Sequence, residues 1–219
     1  MRSTIERPGV LDKSVLLVNC VAEAKLTLNE LVERSGLARA TAHRLAVGLV
    51  EHGILRRTAD GRFALGLHLL ALGRAAAEQF PLTERALPVM EELRTTTGES
   101  VQLYVRDVED RVCVAALESP HGLRTIVPVG AALPMDRGSA GHVLAGADPA
   151  PTGWVASVEE REAGVASVSA PVLDPDGTVI AALSVSGPVD RMGQHPGERH
   201  GPAVVDAARK VSRSTDRSA

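Results

Sequence analysis

Between Thr27 and Gly53 the punctuation of the sequence dictates two short helices joined by a tight turn. Thr27 and Glu30 form a capping box, in which hydroxyl and carboxylate each accept from an otherwise orphaned first-turn amide, and it predicts a helix over Leu28 to Ser35. Gly36 ends that helix, because the left-handed closing conformation costs glycine nothing. A second helix is predicted over Ala38 to His52, with Leu45 and Leu49 on its buried face and Gly53 as its stop. Upstream, Val10, Leu17 and Val21 recur at helical spacing over 10–24, which makes a bundle of three helices. The run ILRRTADGRFAL then places two short strand-like segments around Asp60-Gly61, a hairpin signal that reads as a wing.

Such spacing suits duplex DNA, since the first helix can brace on phosphates while the second lies in the major groove with its early residues at base edges. Arg39 and His43 lie one turn apart, and Thr41 and Arg44 flank them. Arg56, Arg57 and Arg62 occupy both arms of the hairpin, placed to touch phosphates or the minor groove. An ordinary three-helix bundle with solvated charges would show the same helices but has no need of those arginines. Charge is distributed accordingly: residues 1–66 carry 10 Lys plus Arg and 7 Asp plus Glu, against 14 and 20 for the remainder. That is a mildly basic segment on an acidic body. The four aromatic residues, Phe63, Phe80, Tyr104 and Trp154, are too few for the stacking platforms that grip single strands, which disfavours RNA.

A Leu- and Ala-rich linker helix with a wide apolar face is predicted over Leu67 to Phe80. Pro81 opens another helix, with Leu87, Met90 and Leu93 in register, a kink expected at Pro88 and Gly98 as its cap. Periodicity then changes. Strands are predicted over 100–106, 111–118, 123–129, 164–173 and 178–187, a short helix over 138–146, a loop over 147–153, a closing helix over 199–213, and a frayed tail from Ser214. Runs of strands between helices give an α+β fold with an antiparallel sheet. The domain plan is a winged helix-turn-helix over 1–66, the linker helix over 67–80 and a second domain over 81–219.

No apolar run approaches the ~20 residues of a membrane span, and the first residues lack a secretory apolar region, so a cytoplasmic protein is expected. Cys20 and Cys113 sit in apolar stretches, as buried thiols do. The sequence has no GxSxG elbow, no Walker-type lysine and no HExxH helix. His195 and His200 in HPGERH fit no metal-ligand spacing and read as a loop before the last helix, while Glu159, Glu160 and Glu162 around Arg161 read as a solvated charge run. No catalytic residue, metal or cofactor is expected.

Several stretches together resemble the IclR-type transcriptional regulators, over Val10 to Ser212. The segments 31–37 (LVERSGL), 41–45 (TAHRL) and 61–66 (GRFALG) resemble that family's winged helix-turn-helix, and 164–171 and 184–188 its effector-domain strands. Within it, GESVQLY (98–104), PVG (128–130) and EREAGVASVSAPV (160–172) are most similar to the NdgR-like subgroup associated with amino-acid metabolism. The resemblance implies a GAF-like effector domain, dimers assembling into tetramers, and control of DNA binding by a small metabolite. Two departures stand out. Ala38 replaces a frequent N-cap serine, a loss of ~1 kcal/mol. Between Leu144 and Trp154 the family has roughly twenty more residues beside its pocket.

In the strand 164–172, Val165, Ser167 and Ser169 share one face, and in the facing strand Ser184 and Ser186 share one. Hydroxyls both donate and accept, so two serine stripes can bind a carboxylate or an amino group; a half-solvated hairpin would also show them. The resemblance assigns Ser139, Ala140, Ser167, Ser184 and Ser186 to the effector pocket, with the helix that starts at Ser139 offering free N–H groups to an anion. Ser157 matches a position often acidic in the family. An Ala/Val setting suits a short aliphatic amino acid or related carboxylate. The expected function is a sequence-specific DNA-binding regulator, acting as a homodimer or tetramer on a double-stranded inverted-repeat operator and modulated by that metabolite. The alternative is a GAF-like metabolite-binding or catalytic protein with a non-functional DNA module.

Overall fold

In a computed structural model the chain is described over residues 9–147, 149 and 151–215. It divides between Gln79 and Phe80 into two compact units. The expectations for the first eight residues and for the tail beyond 215 lie outside the described residues.

The first unit contains α1 (Val10–Glu23), α2 (Leu28–Ser35), α3 (Arg39–Glu51), β1 (Leu55–Arg57), β2 (Phe63–Leu65) and α4 (His68–Glu78). The capping box forms: Thr27 N donates to Glu30 Oε2 at 2.6 Å and Glu30 N to Thr27 Oγ1 at 3.3 Å. Gly36 takes the left-handed conformation at φ 66 and closes α2 with an N–H to Val32 O. Ala38 precedes α3 with no side-chain cap bond. Leu17, Leu31, Leu55 and Phe63 form the core with Ala42 and Ala46, both fully buried. Here the structure corrects the sequence reading of α3: its innermost residues are these alanines, and Leu45 and Leu49 pack half-buried on the flanks. Small side chains on the contact line let helices approach closely, which pushes larger ones sideways. The wing pairs β1 with β2 antiparallel, and Leu26 exchanges both backbone hydrogen bonds with Phe63 at 2.7 and 3.0 Å, so the hairpin is tied to the segment that enters α2. The linker helix is shorter than predicted, and Leu70 and Leu72 on it are exposed.

In the second unit α5 (Pro81–Thr97) precedes a six-stranded antiparallel sheet of β3 (Ser100–Asp107), β4 (Asp110–Leu117), β5 (Ala132–Pro134), β6 (Val155–Val158), β7 (Val165–Leu173) and β8 (Val179–Pro188), in the order β5-β4-β3-β8-β7-β6. Two short helices, α6 (Ser139–Leu144) and α7 (Val189–Met192), and the long α8 (Pro196–Thr215) complete it. One sheet face packs Val101, Leu103, Val168, Leu183 and Val185 against Met90 and Leu93 of α5 and Val204 and Val211 of α8. The other face carries Tyr104, Cys113 and Ala182 against Val143 and Leu144 of α6. On α5, Ala86 takes the buried place expected of Leu87, which is exposed.

Three local readings are corrected. Residues 123–129 form no strand; Leu123, Ile126 and Val129 are exposed, and Ser100 Oγ donates to Thr125 O at 2.7 Å where a ladder bond was expected. The edge strands β5 and β6 and the short α7 were not anticipated: three to four residues are too few to show a period. The closing helix starts at Pro196, because Gly197 and Gly201 leave room for the Trp154 indole, which a Cβ at either position would strike. His200 therefore lies within α8 and is 5% exposed.

Burial, helped by Arg199 and opposed by Glu99, holds His200 below the ordinary histidine pKa of 6.5. The folded state thus refuses a proton that the unfolded chain accepts, so the stability His200 contributes is complete above 6.5 and is lost as pH falls below it. Unfolding free energy measured by urea titration between pH 7 and 5 is expected to fall with a slope of at most about 1.4 kcal/mol per pH unit from this group. In His200→Gln that part of the slope should vanish.

Candidate DNA interface and effector pocket

The helix-turn-helix and wing present their predicted cations unequally. His43 and Arg44 are exposed on α3, Thr41 is half-buried, and the exposed Arg39 donates from its guanidinium to the Asn29 amide oxygen on α2. On the wing Arg56 and Arg57 are exposed, with the Arg57 guanidinium 4.6 Å from the centroid of the Phe63 ring. Arg62 is committed inward: its Nη1 donates to Glu30 Oε2 at 2.9 Å and Lys25 O at 3.3 Å, and its Nε lies 3.3 Å from Asp60 Oδ2. The Thr27 amide and hydroxyl, with Arg62, keep Glu30 below the usual carboxylate range.

The pocket follows from strand register. In the β7–β8 ladder Ser167 lies opposite Ser186 and Ser169 opposite Ser184, and β6 brings Ser157 opposite Ser167. All these positions alternate with Ala166, Val168, Leu183 and Val185, which face α5 and α8. The N-terminus of α6 sits over the stripe: Ser139 Oγ is 2.7 Å from both Ser167 Oγ and Ser169 Oγ, and Ser157 Oγ is 3.0 Å from Ser167 Oγ. Ser186 Oγ donates to Gln102 Oε1 at 3.0 Å. The serine stripes expected from sequence therefore meet. Ser139, Ala140, Ser167, Ser184 and Ser186 all line one cavity of about 20 Å³, room for a single water.

Two expectations change. Two amides at the start of α6 are already engaged, since Ser139 N donates to Ser157 Oγ at 3.0 Å and Gly138 N to Glu160 Oε2 at 2.9 Å, so the expected anion cradle is narrowed to the amides that follow. Glu160 is accordingly no idle surface charge; its carboxylate also lies 2.7 Å from His142 Nε2, and Glu159 Oε1 accepts from Gly164 N at 2.8 Å. The same cavity includes Tyr104, Arg111, Ser157 and Arg161. Arg111 is the residue that sequence reasoning missed. It is 2% exposed, its Nη1 donates to Pro134 O and to Arg137 O at 2.7 Å, and its guanidinium lies 5.4 Å from the Tyr104 ring centroid. Its buried Nε has no partner, and it forms no ion pair among the described residues. Burial pulls its pKa down, and the Arg161 charge adds to that, against Tyr104 and Asp136. Burial likewise pushes the Tyr104 phenol up and the Cys113 thiol to about 11, so neither ionises near neutrality. The sequence did hold a signal for Arg111: a charge stands at an inward position of RVCVAAL, where alternation calls for an apolar residue.

Comparison with known proteins decides the family. The IclR helix-turn-helix domain model matches residues 10–59, and the bacterial transcriptional regulator IclR C-terminal model matches 74–152 and 150–213. The chain belongs to the IclR family of bacterial transcriptional regulators. Among IclR-family relatives, the HTH-type transcriptional regulator KipR of Bacillus subtilis is 28% identical, covering 92% of this chain and 94% of its own length. The glycerol operon regulatory protein of Streptomyces griseus is 29% identical over 93% and 94%. Of solved structures, an IclR homolog from Microbacterium hydrocarbonoxydans complexed with 4-hydroxybenzoate superposes with a TM-score of 0.79 at 25% identity, covering 96% of this chain and all of that one. Thermotoga maritima IclR, at 19% identity and a TM-score of 0.73 over 94% and 98%, shares the fold. The two matches of the C-terminal IclR model meet at residues 150–152, within the loop that is expected to be short. No described helix is long and apolar enough to cross a membrane.

Ser139→Ala removes the hydroxyl shared by Ser167 and Ser169 and strands the fully buried Ser169 hydroxyl. A loss of about 1–3 kcal/mol of unfolding free energy is expected, measured by chemical denaturation of the purified protein.

Proposed function

We propose that this IclR-family regulator reads an operator through the early turns of α3, that its wing holds the flanking backbone, and that a small carboxylate or amino acid in the serine-lined cavity alters that binding. In this reading residues 1–66 are the DNA-binding domain, 67–80 the linker and 81–219 a GAF-like effector domain. The observation that carries it is the convergence of Ser139, Ala140, Ser167, Ser184 and Ser186 on one cavity, on a sheet whose other face is closed by α5 and α8. The Microbacterium relative complexed with 4-hydroxybenzoate, an aromatic carboxylate, supports an anionic ligand class. The NdgR-like subgroup reading favours a compound of amino-acid metabolism. Arg39, Thr41, His43 and Arg44 supply base contacts, and Arg56 and Arg57 supply phosphate contacts. Arg62 acts chiefly by fixing the wing, since its charge is already paired with Glu30 and Asp60. The exposed leucines of α4 and the short reach of a single recognition helix support a homodimer or tetramer.

Two experiments test the halves separately. In duplex binding measured across a salt series, log affinity should fall linearly with log salt; Arg39→Ala should cost ~1–3 kcal/mol on the preferred operator and relax base preference, whereas Arg57→Ala should weaken all duplexes alike. Equal losses on every sequence for both variants would refute the division of labour. For the pocket, calorimetry of Ser184→Val and Ser186→Val should show roughly ten- to a hundred-fold weaker effector binding with ligand-free DNA affinity retained. Unchanged effector affinity in the double variant would place the site elsewhere.

A further inference from the structure

The cavity has charge on one side of the ledger only. Arg111 and Arg161 line it, and among the described residues no aspartate or glutamate does. Arg111 is nine-tenths buried by a wide margin, yet only its Nη1 is engaged, by two carbonyls that bring no negative charge. Its buried Nε has no acceptor, and the residue lines a polar cavity. A guanidinium kept in this state is costly, because desolvation of a charge is repaid only by an anion or a full set of acceptors. Arg161, which also lines the cavity, pairs among the described residues with Glu162 alone, 3.8 Å away and mostly exposed.

Room for Arg111 is built into the backbone. A Cβ at Gly141 would strike the Arg111 guanidinium and Met135 O, and one at Gly138 would press on Arg111 Nη2 at 3.2 Å, so α6 and the turn before it close over the arginine only because both residues are glycine. Planar, forked donors facing serine hydroxyls match a carboxylate with a neutral oxygen beside it. An α-ammonium group in the same place would meet two guanidinium groups, and the neighbouring carboxylate, Glu160, is already taken by Gly138 N and His142 Nε2.

We infer that Arg111, seconded by Arg161, is the carboxylate anchor of the effector pocket, and that the pocket selects 2-oxo or 2-hydroxy carboxylates over the amino acids of the same skeleton. This rests on the effector-pocket reading above and narrows it: the serines receive the neutral oxygen and the arginines receive the charge.

The test uses the full chain and matched ligands of three to six carbons in four forms: 2-oxo acid, 2-hydroxy acid, 2-amino acid and the uncharged 2-oxo amide, each titrated by calorimetry. The 2-oxo or 2-hydroxy acid of at least one skeleton is expected to bind ten-fold or more tighter than both its amino acid and its amide. In Arg111→Gln the acid should fall to the affinity of the amide, while the amide is unchanged. Arg111 also holds two loop carbonyls, so Arg161→Gln provides a second arm that leaves those bonds intact; it should weaken the acid several-fold and leave the thermal midpoint of the ligand-free protein unmoved. An amino acid that binds as tightly as its oxo acid, or an Arg111→Gln protein that still prefers acid to amide, would overturn the charge assignment while leaving the pocket in place. Failure of every ligand to bind would overturn the pocket reading, and this inference with it.

Discussion

The register of β7 against β8 is the constraint on which the effector domain depends. Side chains alternate with period two, so pairing Ser167 with Ser186 and Ser169 with Ser184 commits the intervening Ala166, Val168, Leu183 and Val185 to the opposite face in a single choice. A slip of one residue would bury the hydroxyls against α5 and α8 and turn the aliphatic side chains toward α6. The apolar face specifies the register, since burial of those side chains at roughly 25 cal/mol per Å² outweighs any local preference of serine. The polar face inherits its geometry from that packing. It needs no hydrophobic reward of its own, and this frees its residues to be chosen for what they bind.

The polar side is held by a hydroxyl network rather than by a core. Ser139, Ser157, Ser167 and Ser169 bond one another, and Glu160 fixes the turn that enters α6. Each bond contributes little against water, but breaking one leaves a buried group unsatisfied, so the network specifies a position more than it adds stability. With a cavity of only about 20 Å³, an effector bound as proposed would have to displace part of this network or draw α6 outward, which would link occupancy of the site to the placement of a helix.

Much of this was legible in the sequence because the signals were local. The Thr27–Glu30 capping box, the glycine stops at 36, 53 and 98 and the Asp60-Gly61 turn each act within four residues, and each appears where expected. The serine stripes were legible because the two strands that carry them are long enough to fix a period. What escaped was set by distant partners. The edge strands exist because β4 and β7 offer them an edge, and the alanine seam of α3 replaces its leucines because α1 and α2 decide which side can approach closest. Residues 123–129 have strand composition, but they give a carbonyl to Ser100 and bury Val127 beside Tyr104 and α6 while Leu123, Ile126 and Val129 stay exposed, so no ladder forms. Arg111 was hidden for a different reason: in one dimension it looks like the charged start of a strand, and only the sheet shows that it points into a cavity with Tyr104 below and α6 above.

Glu30 serves two structures at once. It closes the capping box of α2 and receives the wing arginine Arg62, which also reaches Lys25 O. The first helix of the reading head and the hairpin beside it are therefore welded at one carboxylate, and Leu26 and Phe63 add a backbone clasp a few residues away. Moving the wing away from the first helix would cost the Arg62–Glu30 pair and the Leu26–Phe63 clasp. A wing that resists such movement would favour operators whose flanking steps yield easily to bending, at positions no side chain reads.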